Sequence, residues 1–332
     1  MTIEVRENFD AKNLTSFKVS GLIEHAYFPK NSDELVEILK TIEKPIVLGN
    51  CSNILLSSCG IKGNVIFTQK CNAIKIEGNK VYAECGLKGP MASNEVLKHS
   101  LSGFEFMIGF PGSIGGEVYM NASAKEQAIS DYLKCAKVFD LDTKEVLTLS
   151  KKDLGFGYRS SICQRKNYIV LSAEFELEEK PKEEIKARMN FNLTFRKNHQ
   201  PSLALPNCGS VFKNPENNSA GKLLDSIGAK NLTVGGAKVW DNHANFIINF
   251  DNATSEDILN LMLLMYNKVK EKYDIKLSPE VVYLGNNSEI EEKIWKTLKQ
   301  KLIKMLALVY FVAVCLLKKM FLCALAKTVL KH

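Results

Sequence analysis

GFPGSIGGEVYMNA, residues 109–122, sets four glycines, 109, 112, 115 and 116, around one proline and one serine. Glycine has no Cβ, so such a run lets the backbone turn tightly or approach a neighbour closely. No Lys-Ser/Thr follows, so it is not a Walker loop. Phe110 and Pro111 separate Gly109 from Gly112, so it is not G-x-G-x-x-G either. GNCSN, residues 49–53, is a second small-residue turn far away in sequence. Backbone N–H groups in turns of this kind form anion-binding nests. Two of them suit a ligand with two phosphates, such as a dinucleotide cofactor. The same glycines read as well as tight turns that pack strands together, and on the glycines alone both readings stand.

Around these turns the pattern mixes strands and helices. PIVLGNCSNILL (45–56) reads as strand, turn and apolar run. AIKIEGNKVYAECG (73–86) alternates about Gly78-Asn79, a hairpin signal, and 134–150 is a second hairpin. Residues 89–100 read as a short helix after Pro90, 167–177 as a long strand, and 182–200 as a helix ending before Pro201. Three prolines and a glycine then punctuate 201–215, which places a domain boundary near 200. Beyond it come a helix closed by Gly228, strands in AKVW and ANFIINF, a helix opened by Thr254 and Asp257, and a strand in EVVYLG (280–285). No βαβ rhythm runs through the chain, so the fold class is α+β.

Composition narrows the function. A chain of 332 residues, 45% apolar, builds about two or three domains. Nine cysteines, an odd number without C-x-x-C spacing, point to reduced thiols rather than disulfides, and to no metal site. MTIEVRENFD lacks the apolar run of a secretory leader, which reads as a cytoplasmic protein. The net charge is +7, but residues 286–332 hold nine lysines against three glutamates, so the body is nearly neutral and nucleic acid is not indicated.

GFEFMIGFPGSIGGEVYMNAS resembles the flavin-contacting segment of the UDP-N-acetylenolpyruvoylglucosamine reductases, FAD enzymes of bacterial peptidoglycan synthesis. LTSFKVSG (14–21), VLGNCSNILL (47–56), YRSS (158–161), CGSVFKNP (208–215), AGKLLDSIGAK (220–230), GGAKVWDNHANFIIN (235–249) and SPEVVYLG (278–285) agree in order. The resemblance covers roughly residues 10–285 and matches the family's shorter form. It implies a two-lobed FAD-binding region (PCMH-like), lobe 1 at 1–70 and lobe 2 at 71–200. A smaller α+β substrate-binding domain at 201–285 follows, then an atypical tail at 286–332.

The resemblance also implies the chemistry. NADPH reduces non-covalently bound FAD, and hydride then passes to the enolpyruvyl ether of a UDP-sugar, giving UDP-N-acetylmuramate for the cell wall. Gly49, Asn50, Cys51, Ser52 and Asn53, with Gly112, Ser113, Ile114, Gly115, Gly116 and Asn121, would cradle the FAD pyrophosphate. Arg159 would bind the substrate carboxylate with its paired, permanently charged donors. Ser210 would deliver the proton, and Glu280 would help polarise the carboxylate, in protonated form. Tyr158, Lys213, Asn214 and Lys238 are candidates for the rest of the substrate, and His243 reads as a packed or hydrogen-bonded residue. The partner is a small-molecule UDP-sugar, and the protein is expected to act as a monomer. Two other readings share the fold: a relative that binds FAD or a UDP-sugar without turnover, and a different FAD oxidoreductase. GSVFKNP and PEVVYLG lie outside the FAD region and favour the reductase.

Ser20, Cys51 and Ser123 stand where the family commonly has glycine, so a positive φ there would weaken FAD binding. Trp240 stands where it commonly has a small polar residue. MLALVYFVAVCLL (305–317) is 13 unbroken apolar residues, short of the roughly 20 that span a bilayer. With its lysines the tail reads as a membrane-surface contact, a packing helix, or the product of a reading-frame change.

Overall fold

The computed structural model describes residues 3–124, 127–202 and 204–299. The first lobe is a four-stranded sheet in the order Glu4–Asp10, Leu22–Phe28, Ile61–Phe67, Ile46–Leu48. Its first pair is antiparallel and the other two are parallel. The helix Ser32–Thr41 begins where the Asn31 side chain accepts from the Glu34 N–H, satisfying one of the donors a helix start leaves open. It buries Leu35, Ile38 and Leu39 against Ile66, Phe139 and Leu171, so one amphipathic helix ties the two lobes together.

The second lobe is an antiparallel sheet of five strands: Val146–Ser150, Leu133–Asp140, Tyr168–Glu176, Lys80–Glu84 and Ile74–Glu77. Both predicted hairpins are present, and Gly78 takes φ 59° at the turn of the first. Along Tyr168–Glu176 buried and half-buried residues largely alternate. The inward set joins Val81, Ala83, Val138 and Phe175 to the helices Gly89–Lys98 and Ile114–Met120.

Past Pro201 a three-stranded meander, Thr233–Val234, Ala237–Val239 and Ile247–Asn249, packs on the helices Ala220–Ser226 and Ser255–Tyr273. The Thr254/Asp257 capping box is formed. This core also takes in Phe17, Val19 and Leu55 from the first lobe, so the third unit is glued to the first by apolar burial. A strand pairing adds to it: Val282–Leu284 runs parallel to Ile54–Leu56, more than 200 residues earlier in the chain.

The tail expectation changes for part of its length. Glu289–Lys299 is a helix whose Trp295 and Leu298 are buried in the third core. Its Glu291, 1% exposed, accepts hydrogen bonds from Ser57, Ser255 and the Tyr283 hydroxyl. The net charge of residues 286–332 hid an amphipathic helix with an apolar face. The apolar run 305–317, with the membrane-surface reading built on it, lies outside the described residues. Among the described residues no helix is long and apolar enough to cross a membrane.

Candidate active site

The two glycine turns come together. GNCSN joins the strands Ile46–Leu48 and Ile54–Leu56, and GFPGS leads into the helix Ile114–Met120. Asn50 Nδ2 donates to the Pro111 carbonyl. A Cβ on Gly49 would lie 2.3 Å from Ser113 Oγ, so any other residue there displaces the Ser113 hydroxyl. Cys51, 3% exposed, holds φ 50° in the left-handed region, and burial pushes its thiol up to about 12. Of the three departures from glycine it alone has positive φ; Ser20 and Ser123 do not.

Not every predicted donor is free. The Ile114 and Gly115 N–H groups are already bonded to the Leu87 and Cys85 carbonyls, at 2.9 and 2.8 Å. Gly115 is needed because a Cβ there would meet Cys85 Cβ at 2.8 Å. Packing therefore accounts for the glycine at 115, and both N–H groups already have backbone partners. Asn53 turns its amide to the Glu280 carbonyl, 2.9 Å away, and Ser52 is half-buried at the turn.

Several polar atoms between and beside the turns are buried with no partner: Ser113 Oγ, Asn121 Oδ1, both Glu117 carboxyl oxygens and Arg196 Nε. Buried polar groups are normally bonded to protein, ordered water or ligand, so these atoms are open to a further partner. The slot beside the Gly49–Ser113 contact offers the unpaired Ser113 hydroxyl as a donor, the kind of group the diphosphate of FAD would need. Glu117 and Arg196 were not found from sequence. Glu117 Oε1 lodges beside Gly89 and Gly112, and Arg196 Cδ packs on Gly109. Burial alone raises the Glu117 carboxyl to about 8 and lowers Arg196 from its usual value. A charged residue inside a glycine run was the available signal for Glu117.

A second cluster forms where the FAD-binding lobes meet the third unit. Arg159, on the YRSS turn, holds φ 51°. Its Nε donates to Glu280 Oε1 at 2.7 Å and its Nη1 to Ser123 Oγ at 2.6 Å, and the two charged side chains are only 20% and 16% exposed. Tyr158 lies under the guanidinium, 5.2 Å from its ring centroid, and is otherwise exposed. The Glu280 N–H bonds to the Val211 carbonyl at 2.8 Å, which brings Ser210 to the strand segment beside Glu280. Ser210 itself bridges to Phe246. Thus Arg159, Glu280 and the Ser210 segment, 121 and 51 residues apart in sequence, meet on one seam.

The remaining candidates divide. Lys213 lies on the short strand that pairs with Ser278–Pro279, next to Glu280. Asn214 uses its side-chain oxygen on the Ala220 N–H, where it supports a helix start. Lys238 pairs with Asp241 at 3.4 Å and lines an open groove of about 590 Å³ with Lys12, Lys18, Trp240 and Phe250. His243 packs on Phe246, its Nδ1 accepts from the Asn245 N–H, and burial lowers its pKa, as expected of a structural histidine.

Comparison with known proteins agrees with this geometry. A family model described as UDP-N-acetylenolpyruvoylglucosamine reductase, C-terminal domain, matches residues 200–284, and an FAD binding domain matches 23–150. The chain is 40% identical over 289 residues to UDP-N-acetylenolpyruvoylglucosamine reductase 2 of Bacillus cereus, covering 86% of this chain and 94% of that one. It is 37% identical over 290 residues to the reductase of Caldicellulosiruptor saccharolyticus, covering 86% and 93%. The crystal structure of the reductase from Thermus caldophilus superposes with a TM-score of 0.73 at 32% identity, covering 85% of this chain and 99% of that one.

Proposed function

The chain belongs to the UDP-N-acetylenolpyruvoylglucosamine reductase family, and on that premise we propose how its own residues carry the reaction. It is an FAD- and NADPH-dependent UDP-N-acetylmuramate dehydrogenase, an oxidoreductase of peptidoglycan precursor synthesis. The observation that carries the assignment of residues is the Arg159–Glu280 pair, 2.7 Å apart on the seam that also holds Ser210.

Bound FAD supplies the hydride chemistry, and the protein supplies binding, orientation and charge. The Gly49 and Ser113 turns would hold its diphosphate, and Asn121, at the far end of the helix that Ser113 opens, would meet the cofactor nearer the Arg159 turn. Arg159 would take the substrate carboxylate on the N–H groups that Glu280 and Ser123 leave free. Charge that develops on that carboxylate is then met by a cation already oriented in a half-buried site, where such contacts act most strongly. Glu280 was expected to polarise the carboxylate in protonated form. Here it is the ion-pair partner of Arg159, and the role its geometry supports is to orient the guanidinium. Ser210 would hold the proton that the reacting carbon takes up. Tyr158 and Lys213 are the candidates for contacts beyond the carboxylate. We read the protein as a cytoplasmic monomer acting on a free UDP-sugar.

The test is direct. The purified protein should be yellow, release FAD rather than FMN on denaturation, and consume NADPH when given the enolpyruvyl UDP-sugar. A protein that cannot be loaded with FAD overturns the reading. A loaded protein without turnover returns the non-catalytic alternative.

A further inference from the structure

We propose that Ser123 is a positioning residue for Arg159. The proposal rests on Arg159 as the carboxylate-binding residue. A guanidinium is planar, and its usefulness to a carboxylate depends on the direction of that plane. One contact, from Nε to Glu280, leaves the plane free to swing. The second, from Nη1 to Ser123 Oγ at 2.6 Å, fixes it from the opposite side of the seam. Glu280 belongs to the third unit and Ser123 to the FAD-binding lobe, so the guanidinium is oriented only when both are in place.

Ser123 is itself anchored. It follows Asn121, the left-handed residue that ends the helix Ile114–Met120, and it pairs with Ala128 on a short strand. That helix end is stapled to the turn that carries Arg159. Asn121 Nδ2 donates to the Gly157 carbonyl at 3.0 Å, and Ser161 Oγ to the Tyr119 carbonyl at 2.8 Å. Gln164 Nε2 reaches both the Tyr119 and the Arg159 carbonyls, at 2.9 and 3.0 Å. The last contact holds Arg159 in its left-handed conformation, which a non-glycine residue keeps only when its surroundings impose it. The helix that opens at the cofactor slot thus closes on the substrate-binding cation, and Ser123 Oγ is the point of contact.

Calorimetric binding of the UDP-sugar to FAD-loaded protein tests this, with Ser123→Ala, Ser123→Thr, Arg159→Ala and the Ser123→Ala/Arg159→Ala double variant. Ser123→Ala should weaken substrate binding about tenfold, the size of one lost hydrogen bond to a charged group. FAD affinity and the KM for NADPH should stay unchanged. Ser123→Thr, which keeps the hydroxyl, should recover most of the loss. In the Arg159→Ala background, removing Ser123 should cost nothing further, because the two act as a unit. The proposal is overturned if Ser123→Ala binds substrate as wild type does, if Ser123→Thr is as weak as Ser123→Ala, or if the two losses add. If Arg159→Ala itself binds normally, the reading of Arg159 fails, and the positioning role fails with it. A normal Ser123→Ala beside a weakened Arg159→Ala rejects the positioning role alone.

Discussion

The cofactor slot and the substrate seam lie at opposite ends of one seven-residue helix, Ile114–Met120, and are built in opposite ways. The slot is made of backbone and absent side chains: Gly49 faces Ser113, and buried polar atoms of Ser113, Glu117 and Arg196 have no partner. The seam is made of side chains already satisfied by one another, with Arg159 bonded to both Glu280 and Ser123. A site with unmet polar groups costs folding free energy until its ligand arrives, and so depends on the ligand for stability. A site whose charges are paired in advance needs little reorganisation when charge develops, and so serves chemistry. The helix between them joins the two arrangements.

The comparison breaks first at Ser210. Ser210→Ala should leave FAD content and NADPH oxidation without substrate nearly normal, while turnover of the enolpyruvyl sugar falls about 10²–10⁴-fold, the usual contribution of a general acid. Ser210→Cys should lose less. Stopped-flow traces with and without the sugar measure both, and an equal effect on the two rates would make Ser210 a turn residue only.

The C-terminal helix sets the next largest effect, and it acts through the core of the third unit that carries Glu280 and Ser210. A chain ending at Asn287 lacks Trp295, Leu298 and the Glu291 carboxylate that joins Ser57, Ser255 and Tyr283. Losing a buried tryptophan alone typically costs about 3–5 kcal/mol. Urea unfolding should show at least that loss, while a chain ending at Lys299 should keep the described fold. Equal stability of the two chains would return residues 286–299 to the tail.

The slot responds to smaller changes. Gly49→Ala puts a methyl group 2.3 Å from Ser113 Oγ. The Ser113 hydroxyl must swing away from the diphosphate it would face, so FAD should bind on the order of tenfold more weakly, the size of one lost hydrogen bond to a charged group. Turnover at saturating FAD should be nearly unchanged. Flavin fluorescence titration reads the first quantity, and unchanged affinity would mean the slot is not where the diphosphate lies.

The last effect is a pH dependence confined to the slot. Glu117 is pushed from 4.5 up to about 8 by burial. Between those values the folded protein holds a proton that the unfolded chain has lost. Stability from this group therefore falls by about 1.4 kcal/mol per pH unit as pH rises through the window, and levels off above pH 8. Glu117→Gln removes the dependence. Urea midpoints of both proteins at pH 6 and pH 8 check it, and parallel behaviour would show that the carboxyl finds a partner.

What sequence made legible was local. Gly78-Asn79, the Thr254/Asp257 box and the helix ending before Pro201 each declare themselves within a few residues, because hairpins and caps are short-range devices. Arg159, Ser210 and Glu280 were named through a resemblance; nothing in YRSS or CGSVFKNP alone indicates their shared seam. Contacts between distant segments stayed hidden. Ser123 read only as a departure from glycine that a positive φ would make costly; its hydroxyl on Arg159, 36 residues on, is a contact no local pattern announces. The packing of Gly115 on Cys85, 30 residues earlier, left no trace in the local sequence. EIEEKIWKTLK was absorbed into a charged tail because net charge says nothing about which face of a helix is apolar.

The pairing of Val282–Leu284 with Ile54–Leu56 has a consequence for the order of events during synthesis. The strand at 54–56 leaves the ribosome early, while its partner is among the last described segments to be made. At the usual pace of about 5–20 residues per second, more than ten seconds separate them. Through that interval the first lobe carries an unpaired, apolar strand edge, the kind of surface that recruits other chains. The substrate seam can then assemble only after translation has passed Leu284. A ribosome stalled before that point would hold a nascent chain unable to close on its substrate and prone to aggregate, so the yield of enzyme should depend on how quickly the codons between Leu56 and Leu284 are read.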